Sequence, residues 1–484
     1  MRDRARSRPV PPRFLLLAGA ALGACALLGA APCRAQRFGP PFALNTNADS
    51  DIGFDAGPRI ATDGAGHWVA VWSSDDPHGG STGTDGDILF ARSSDAGQSW
   101  SAPLALDPGA GSDQAVDAEP DLATDRAGTW IAAWNSSAGA TGSDDDILFA
   151  RSTDHGATWS APAPLNSDAA GDALHDTAPR LAGDGQGNWV AVWYTRGGSD
   201  EDLRVARSLD DGVSWSAPAA LNTNAASDSG DDESPRIASD GAGNWVAVWD
   251  SDDTLGGALG IDRDILVARS SDAGASWTDP APLNGAASDF ANDLAAEIAS
   301  DGAGNWVAVW QSFDSLGNTI GLDADILVAR SADQGATWSA PAALNSAAVN
   351  DAALDRDAEV VSDGVGNWVA IWSSTESSDS DIFFARSTDA GATWSAQRAL
   401  DPNAASDTGH DASPQLAMDG AGRSLAVWAS SDPLDGTLES DYDLLAAVAS
   451  GPSLPALPPS ALVALAALLL GVAVRGPLQR LASR

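Results

Sequence analysis

Aspartates recur at regular spacings along this 484-residue chain. In one set, an Asn or Asp is followed by Asp six and ten residues later, as at Asn222, Asp228 and Asp232. In a second set, Asp-x-Asp opens a predicted strand in each of seven repeats, as at Asp262 and Asp264. Grouped carboxylate oxygens suit Ca²⁺, a hard cation with about 6–8 oxygen ligands. The candidate Ca²⁺ ligands are Asp51, Asp55, Asp85, Asp87, Asp228, Asp232, Asp262 and Asp264.

The same aspartates also have an interpretation that needs no metal. Asp favours Asx-turns, and a solvated acidic surface suits a salty environment. In a four-stranded meander the two sets emerge from loops on one face. We therefore expect an acidic rim, for which Ca²⁺ is the candidate cofactor.

Other reactive residues form no catalytic motif in the sequence. The five histidines are scattered and show no zinc spacing. Gly79–Gly83 satisfies Gly-x-Ser-x-Gly, but it lies in a polar loop and not at a strand-to-helix elbow. The chain contains no lysine, which excludes a phosphate-binding Gly-Lys loop.

Composition excludes further classes of protein. The formal net charge is −41, which argues against nucleic acid as a partner because phosphate would be repelled. The hydrophobic content of 44% is sufficient for a large core. The two cysteines, Cys25 and Cys33, exclude a disulfide scaffold and a Cys-rich metal site.

Self-similarity divides the chain into seven repeats. A first block, such as Pro58–Trp72, ends at a tryptophan in every copy: Trp72, Trp134, Trp193, Trp249, Trp310, Trp372 and Trp428. A second block carries Ser-x-Asp-x-Gly-x-x-Trp six times, at 93–100, 152–159, 208–215, 270–277, 331–338 and 387–394. All 19 tryptophans fall at repeat positions, so we expect them to pack and not to bind a ligand.

Each repeat predicts four short strands. Trp245–Trp249 and Ile265–Ala268 are rich in aromatic and β-branched residues and are bounded by Gly/Asp turns. In Trp245–Trp249, the tryptophans and the alanine point to one face and the two valines to the other, so both faces of the sheet are apolar. Four-stranded units repeated radially form an all-β, seven-bladed β-propeller. An open solenoid is the alternative.

The seventh repeat is divided between the two ends of the chain. Its C-terminal part runs through Asp443–Val448 and stops before a last strand. Phe38–Asn45 aligns with Trp215–Asn222, and Phe38 takes the tryptophan position. We therefore predict that the N-terminal strand completes blade seven, which removes exposed sheet edges. The propeller then occupies residues 36–450.

The Ser-x-Asp-x-Gly-x-x-Trp motif resembles the Asp-box, or BNR repeat, of sialidases and related propellers. Six copies in register extend the resemblance over residues 38–450. In such a turn Asp accepts hydrogen bonds from its own loop, Gly supplies a positive φ and Trp packs between blades. The resemblance implies a structural role, away from the active face, for Ser93, Asp95, Gly97, Trp100, Asp154, Trp159, Asp210, Trp215, Asp272, Trp277, Asp333, Trp338, Asp389 and Trp394.

Sialidases hold the substrate carboxylate with three arginines and use a Tyr/Glu nucleophile pair with an Asp acid/base. The resemblance implies Arg59, Arg180 and Arg236, which share one register of the repeat, and Tyr442, which lies between two aspartates. Tyr194, the second tyrosine, follows the predicted strand 189–193. A ring of mixed charges around the channel is the alternative, because the same register elsewhere holds Asp121, Glu297, Glu359 and Gln415.

The N-terminal residues 1–35 predict a secretory signal peptide. A basic start precedes the apolar stretch Phe14–Leu28, and Ala35 suits the last position before cleavage. The segment Leu22–Cys25 resembles a lipobox, which would instead make Cys25 a lipidated first residue.

The C-terminus combines a Pro-rich spacer, 451–460, with a hydrophobic segment and basic tail, 461–484. Its apolar run Ala461–Val474 is shorter than the ~20 residues that cross a bilayer. The arrangement resembles bacterial sorting signals of the PEP-CTERM kind, and a marginal membrane anchor is the alternative. Both place the protein outside the cytoplasm, at the cell envelope.

These observations favour an exported, envelope-associated propeller that acts as a non-catalytic binding or structural module. The expected partners are a carbohydrate or an extracellular protein, with membrane contact only through the C-terminal segment. We expect a monomer that binds no nucleic acid. The alternative function is that of an exo-α-sialidase-like glycoside hydrolase.

Overall fold

The computed structural model describes residues 37–449 except for 51–52, 78–81, 84, 113, 138–143, 172, 285–290, 350, 377–378, 403, 405–407, 437, 439–440. The predicted signal peptide, spacer and C-terminal segment lie outside the described residues. Arg37–Gly451 forms one compact unit. Within the described residues, no helix has the length and apolar character needed to cross a membrane.

The chain forms seven four-stranded antiparallel sheets, which confirms the predicted seven-bladed all-β propeller. The first three blades comprise β2 (Asp55–Thr62), β3 (Trp68–Ser74), β4 (Asp87–Ser93) and β5 (Leu104–Ala105); β6 (Asp117–Thr124), β7 (Trp130–Ser136), β8 (Asp146–Ser152) and β9 (Ala163–Pro164); β10 (His175–Gly183), β11 (Trp189–Arg196), β12 (Asp202–Ser208) and β13 (Ala219–Ala220).

Blades four to seven repeat this order. They comprise β14 (Asp232–Ser239), β15 (Trp245–Ser251), β16 (Asp264–Ser270) and β17 (Ala281–Pro282); β18 (Asp293–Ser300), β19 (Trp306–Ser312), β20 (Asp325–Ser331) and β21 (Ala342–Ala343); β22 (Asp355–Ser362), β23 (Trp368–Ser374), β24 (Asp381–Ser387) and β25 (Arg398–Ala399); β26 (Asp411–Met418), β27 (Ser424–Ser430) and β28 (Asp443–Ala449) with β1 (Phe42–Ala43). A 3₁₀ turn, Leu434–Gly436, lies between β27 and β28.

The first strand of each blade is innermost, and the two-residue strand is outermost. First strands of neighbouring blades contact one another around the whole ring, and β26 contacts β2. A closed ring of this kind exposes no sheet edge at an open end of the array. The open solenoid is thereby excluded.

The N-terminal strand closes the ring as predicted. Strand β1 pairs with β28, and Phe38 forms a further bridge to Ala449. The Phe38 ring packs edge-on against Phe384 of blade six, with 5.3 Å between centroids. Trp159 packs in the same way against Phe90 of the blade before it, at 5.9 Å. Phe38 therefore occupies the tryptophan position of the repeat.

The core consists of the interfaces between blades. Trp245, Ala247 and Trp249 of β15 are buried against blade three, whereas Val246 and Val248 are buried against blade five. This is the predicted two-sided strand. Equivalent tryptophans are fully buried in the first six blades, so the indole rings are packing residues.

The loops fall on two faces. The box face carries the turns between first and second strands and the Asp-boxes between third and fourth strands. The rim face carries the loops between second and third strands and the connections from one blade to the next. Each innermost strand has a bulge near the rim face, with a positive φ at Gly57, Glu119, Ala178, Ser234, Ala295, Asp357 and Ser413. Bulges re-aim side chains, here around the rim end of the channel.

Candidate functional site

The Asp-box is a self-contained hydrogen-bonded turn. In the first box, Ser93 Oγ donates to Asp95 Oδ1 (2.8 Å) and accepts from Gly97 N (2.9 Å). Asp95 also accepts from Ser99 N (2.9 Å) and Ser99 Oγ (2.6 Å). The half-buried Trp100 ends the motif and packs at the interface with blade seven. The polar groups of Ser93, Asp95 and Ser99 therefore find their hydrogen-bond partners within the same turn.

The other five boxes repeat this geometry, including a second hydroxyl that the sequence pattern did not single out. This Ser or Thr directly precedes the tryptophan and donates to the box aspartate: Ser99, Thr158, Ser214, Ser276, Thr337 and Thr393. These hydrogen bonds lower the pKa of Asp95, Asp210, Asp333 and Asp389 to about 2. The boxes are structural turns on the face opposite the rim.

The arginine register lies on the innermost strands, in a ring that holds, in blade order, Arg59, Asp121, Arg180, Arg236, Glu297, Glu359 and Gln415. Arg59 Nε lies 3.5 Å from Asp121 Oδ1, and Arg236 donates to Glu297. Arg180 Nη1 donates to the carbonyl of Pro179 (2.6 Å). Two of the three guanidinium groups are therefore engaged by carboxylates of a neighbouring blade, as in the mixed-charge interpretation.

Burial changes the ionisation of this ring. Desolvation, together with the charges of Arg236 and Arg59, lowers the pKa of Arg180 to about 9. Burial and the charge of Glu297 raise the pKa of Glu359 well above its usual value. Both shifts disfavour the charged form of the side chain, as is expected where several ionisable groups share a poorly solvated space.

Tyr442 lies on the rim face, where it packs against an aromatic ring. Its ring stacks on Phe54 with 5.4 Å between centroids and 22° between planes. Its carbonyl accepts a hydrogen bond from Asp55 N (3.0 Å). Phe54 is 56% exposed, so the pair forms an accessible aromatic patch.

Tyr194 lies within β11 and not after it, and it belongs to a network of ionisable side chains on blades three and four. We call this network the rim cluster: Tyr194, Arg196, Glu201, Glu233, Asp250 and Arg263. Arg196 Nη2 donates to Tyr194 Oη (2.5 Å), and its guanidinium lies 5.1 Å from the centroid of the same ring. Glu201 Oε1 is 3.9 Å from Arg196 Nε.

The second half of the rim cluster is organised by Arg263. Its two Nη atoms each donate to one carboxylate oxygen of Glu233, both at 2.7 Å, and Nη1 also donates to Asp250 Oδ2 (2.9 Å). This bidentate pairing fixes the plane of the guanidinium. Glu201 and Glu233, from adjacent blades, interact across the boundary between them.

The pKa values of two carboxylates of the rim cluster, Glu201 and Glu233, are shifted in opposite directions. Burial and the neighbouring Glu233 raise the pKa of Glu201 to about 7, whereas the hydrogen bonds from Arg263 lower the pKa of Glu233. The protonated form is therefore favoured more at Glu201 than at Glu233. Burial also raises the pKa of Tyr194. The cluster presents donors and acceptors side by side at a partly exposed surface.

The predicted aspartate sets meet on the rim face. Asn45 Nδ2 donates to Asp55 and Asp443, both at 2.8 Å, and so joins the start of blade one to blade seven. Asn222 donates to Asp232 (2.6 Å), and Asn284 donates to Asp264 (2.8 Å). Five asparagines bridge carboxylates in this way: Asn45, Asn166, Asn222, Asn284 and Asn345. We call each bridge a blade latch.

The remaining candidate Ca²⁺ ligands are distributed around the rim. Asp87 is buried and accepts from Gly83 N (3.3 Å), and Asp85 and Asp262 are partly buried. Asp228 lies near Asp200 and Asp202, whose charges act on it together with that of Asp253. Asp51 lies outside the described residues.

Two histidines that are distant in sequence meet on the box face. Asp63 Oδ2 lies 2.6 Å from His67 Nδ1 and 3.2 Å from His155 Nδ1, and the two imidazole rings stack with centroids 4.2 Å apart. Asp63 Oδ1 also accepts from the backbone N–H groups of Ala65 and His67. The carboxylate is thus saturated by its own turn and by the adjacent blade, so the contact joins blades one and two.

Sequence comparison agrees with this architecture. A family model described as a BNR repeat-like domain matches residues 65–283, from the first turn of blade one to the end of blade four. Residues 65–283 of this seven-bladed propeller are therefore similar to a BNR repeat-like domain. No curated protein matches the chain.

Several solved structures are similar to the chain at low sequence identity. A protein of unknown function from Dyadobacter fermentans is 15% identical, with a TM-score of 0.48 over 69% of this chain and 94% of that chain. The Hadza microbial sialidase Hz136 is 18% identical, with a TM-score of 0.45 over 79% and 76%. An ulvan lyase is 13% identical, with a TM-score of 0.48 over 85% and 95%. Likeness at these identities concerns the fold alone.

Proposed function

We propose that this protein is an exported, non-catalytic propeller that binds a neutral carbohydrate at the rim cluster. The observation that carries the proposal is that the rim cluster contains a residue type that the other blades lack at the equivalent position of the repeat. None of the other six blades has a tyrosine in the register of Tyr194, where the residues are Ser73, Asn135, Asp250, Gln311, Ser373 and Ala429. A fold needs no such divergence for packing, whereas a binding site needs different groups at each point of the ligand.

The chemistry of the rim cluster suits a polyol. Arg196 is a 52% exposed donor, and Glu201, Glu233 and Arg263 are each about one quarter exposed: 24%, 26% and 22%. Neighbouring hydroxyls of a sugar both donate and accept, so they match alternating guanidinium and carboxyl groups. Because these groups already hold one another in place, little side-chain entropy is lost on binding.

Charge favours a neutral sugar over an anionic one. The cluster contains three carboxyl groups and two guanidinium groups, and the chain has a net charge of −41. The field of such a molecule repels sialic acids and uronates at a distance. Elsewhere on the rim face, at blades one and seven, the stacked Phe54 and Tyr442 form a separate apolar surface on which a pyranose ring can lie.

Several observations argue against hydrolysis. Tyr194 has a raised pKa and its hydroxyl accepts from Arg196, whereas a nucleophilic tyrosine needs a group that removes its proton. Tyr442 stacks on Phe54, and Arg59 and Arg236 of the arginine register are paired with Asp121 and Glu297. These contacts favour binding without bond cleavage.

A sialidase-like glycoside hydrolase is the second candidate function. The observation in its favour is Tyr194 itself, a buried phenol that contacts an arginine and feels the charges of Glu119 and Glu233. A tyrosine beside carboxylates is the pair that the sialidase resemblance implies. On this alternative, Tyr194 and not Tyr442 is the nucleophile.

The proposed location and partners rest on the sequence of the two ends. Residues 1–35 direct export, and residues 461–484 hold the protein at the envelope. We propose a monomer whose ligand is a cell-surface or environmental glycan, and an extracellular protein is the alternative partner.

A glycan array probed with the labelled full chain tests the function. We expect binding to neutral glycans, reduced at least about tenfold in Arg196→Ala and in Glu201→Gln. Asp168→Asn, which removes an exposed carboxylate elsewhere on the rim face, is the control and should bind as wild type does. Binding that survives both cluster substitutions, or that is restricted to sialylated glycans, contradicts the proposal.

A further inference from the structure

Three carboxylates converge at the junction of blades five and six. Asp323 and Asp325 flank the start of β20, and Asp351 comes from the connection to β22. One oxygen of each lies within 4.8 Å of one oxygen of each of the others. We propose that Asp323, Asp325 and Asp351 bind a Ca²⁺ ion that joins blades five and six. This site is separate from the rim cluster and does not depend on the proposed carbohydrate.

A buried oxygen without a hydrogen-bond partner points to a ligand at this place. Asp325 is fully buried, and its Oδ1 accepts from Asn345 Nδ2 (2.6 Å). Its Oδ2 is buried and accepts no hydrogen bond from the part of the chain that the structure describes. Asp323 Oδ2 is likewise buried and accepts no hydrogen bond from the described residues. A buried carboxylate oxygen without a partner is costly, and a bound cation removes that cost.

The electrostatics agree with the geometry. Burial and the charges of Asp323 and Asp351 raise the pKa of Asp325 to about 6, and burial and Asp323 raise the pKa of Asp351. No arginine is among the charges that act on either group. The repulsion between these carboxylates is therefore unrelieved by protein cations, and a divalent ion supplies the missing charge.

Calcium fits the donor set better than other common metals. All three ligands are carboxylates, whereas Zn²⁺ prefers nitrogen and sulfur. Ca²⁺ accepts about 6–8 oxygen ligands in flexible geometry, whereas Mg²⁺ demands a near-ideal octahedron and usually keeps several waters. Three carboxylates with bidentate capacity supply up to about six oxygens, and water completes the shell.

Gly321, which has no side chain, leaves room for the Asp323 carboxylate. A Cβ at Gly321 would lie 2.1 Å from Asp323 Oδ1 and 3.5 Å from the carbonyl oxygen of Ala348. A side chain there would displace the Asp323 carboxylate from the cluster. The same relation holds in blade one, where a Cβ at Gly83 would lie 2.0 Å from Asp85 Oδ1. A glycine is required at each of these positions if the carboxylate beside it must keep its place.

The sequence spacing of the three aspartates recurs in blade three. Asp200, Asp202 and Asp228 have the same sequence spacing as Asp323, Asp325 and Asp351. Both carboxylate oxygens of Asp228 are buried, and neither accepts a hydrogen bond from the described residues. Burial and the nearby charges of Asp253, Asp202 and Asp200 raise its pKa to about 6. We therefore expect more than one Ca²⁺ per chain.

Calorimetric titration of CaCl₂ into the chelator-treated full chain tests the site, at about 0.15 M NaCl to screen diffuse binding. Wild type should bind Ca²⁺ saturably, and MgCl₂ should not replace it at equal concentration. Asp323→Asn and Asp351→Asn should each reduce the number of bound ions by one, and Gly321→Ala should weaken binding at least tenfold. Asp168→Asn, an exposed rim carboxylate, should bind as wild type does.

Thermal unfolding in EDTA separates loss of the metal from loss of the fold. Because each Asp→Asn substitution relieves repulsion, both variants should unfold in EDTA at or above the wild-type temperature, and added Ca²⁺ should raise their Tm less. The proposal is overturned if wild type binds no Ca²⁺ or if both variants bind as many ions as wild type. Destabilisation of both variants in EDTA would also overturn it, because the carboxylates would then be stabilising without metal.

Discussion

The Asp-box serine holds its turn through three hydrogen bonds. Ser270 Oγ donates to Asp272 Oδ1 (2.8 Å) and accepts from the backbone N–H groups of Asp272 (3.3 Å) and Gly274 (3.0 Å). Gly274 has φ +73°, and a Cβ there would lie 2.8 Å from Val190 of the adjacent blade. The turn thus needs glycine for its backbone and for its contact with the preceding blade.

Ser270→Ala should lower the free energy of unfolding by about 1–3 kcal/mol, because it leaves the buried N–H of Gly274 without its acceptor. Urea denaturation gives the value. Ser271→Ala, at the exposed neighbouring position, is the matched control and should change stability by less than about 0.5 kcal/mol. Equal stabilities for the two variants would show that the serine does not hold the turn.

The low pKa of the box aspartates predicts an acid response. Hydrogen bonds hold the pKa of Asp389 at about 2, below its usual value of 3.8. The charged form is therefore favoured by folding, and its contribution is present above pH ~4 and is lost as pH falls towards 2. Wild type should lose more stability than Asp389→Asn between pH 4.5 and pH 2.5, measured by urea denaturation at each pH. Identical losses in the two proteins would refute the assignment.

The blade latches connect strand ends that local structure cannot hold together. Asn166 is fully buried, and its Nδ2 donates to Asp146 of its own blade (2.9 Å) and Asp176 of the next (2.6 Å). Its Oδ1 accepts from Ile147 N (3.2 Å). One side chain therefore satisfies groups on two strands, β8 and β10, of neighbouring blades.

Asn166→Ala should lower the free energy of unfolding by about 2–4 kcal/mol, because two buried carboxylates and a buried N–H each lose one hydrogen bond. Ser167→Ala, at the exposed adjacent position, should leave the urea midpoint nearly unchanged. If both variants have the wild-type urea midpoint, the blade latch does not stabilise the fold.

The sequence predicted the elements better than their contacts. Strand alternation in Trp245–Trp249 and the register of the Asp-boxes followed from spacing alone. The latch did not, because Asn166 and Asp176 belong to different blades and their meeting depends on how blades pack. Tyr194 shows the same limit: spacing placed it after a strand, whereas only the fold brings it beside Glu233 of blade four.

Ring closure is the property that makes the seven blades one cooperative unit. Phe38 is 6% exposed and packs against Phe384, with Arg386 lying over its ring at 5.7 Å. The outermost strand of blade seven comes from the opposite end of the chain. The divided repeat made this closure predictable, since each end supplied a part that the other lacked.

Phe38→Ala should cost about 3–5 kcal/mol, the usual loss for a buried phenylalanine. Phe313→Ala, at a 37% exposed ring, should cost less than about 1 kcal/mol. Urea denaturation followed by tryptophan fluorescence reports both. A small effect of Phe38→Ala would mean that blade seven is stable without its N-terminal strand.

Function was less accessible from the sequence than fold. Repeat regularity identified the blades, but an active or binding site consists of the departures from the repeat. Those departures are spread over β11, β14 and β15 and only become a cluster in the folded ring. The pairing of Arg236 with Glu297 was likewise visible only as a shared register.

Hydrolysis of a fluorogenic sialoside by the purified full chain, with and without Ca²⁺, tests the central claim of a binding propeller without catalysis. We predict no release of fluorophore above the buffer rate. Turnover that is abolished in Tyr194→Phe, or in Arg59→Ala, would contradict the claim and make the protein a glycoside hydrolase.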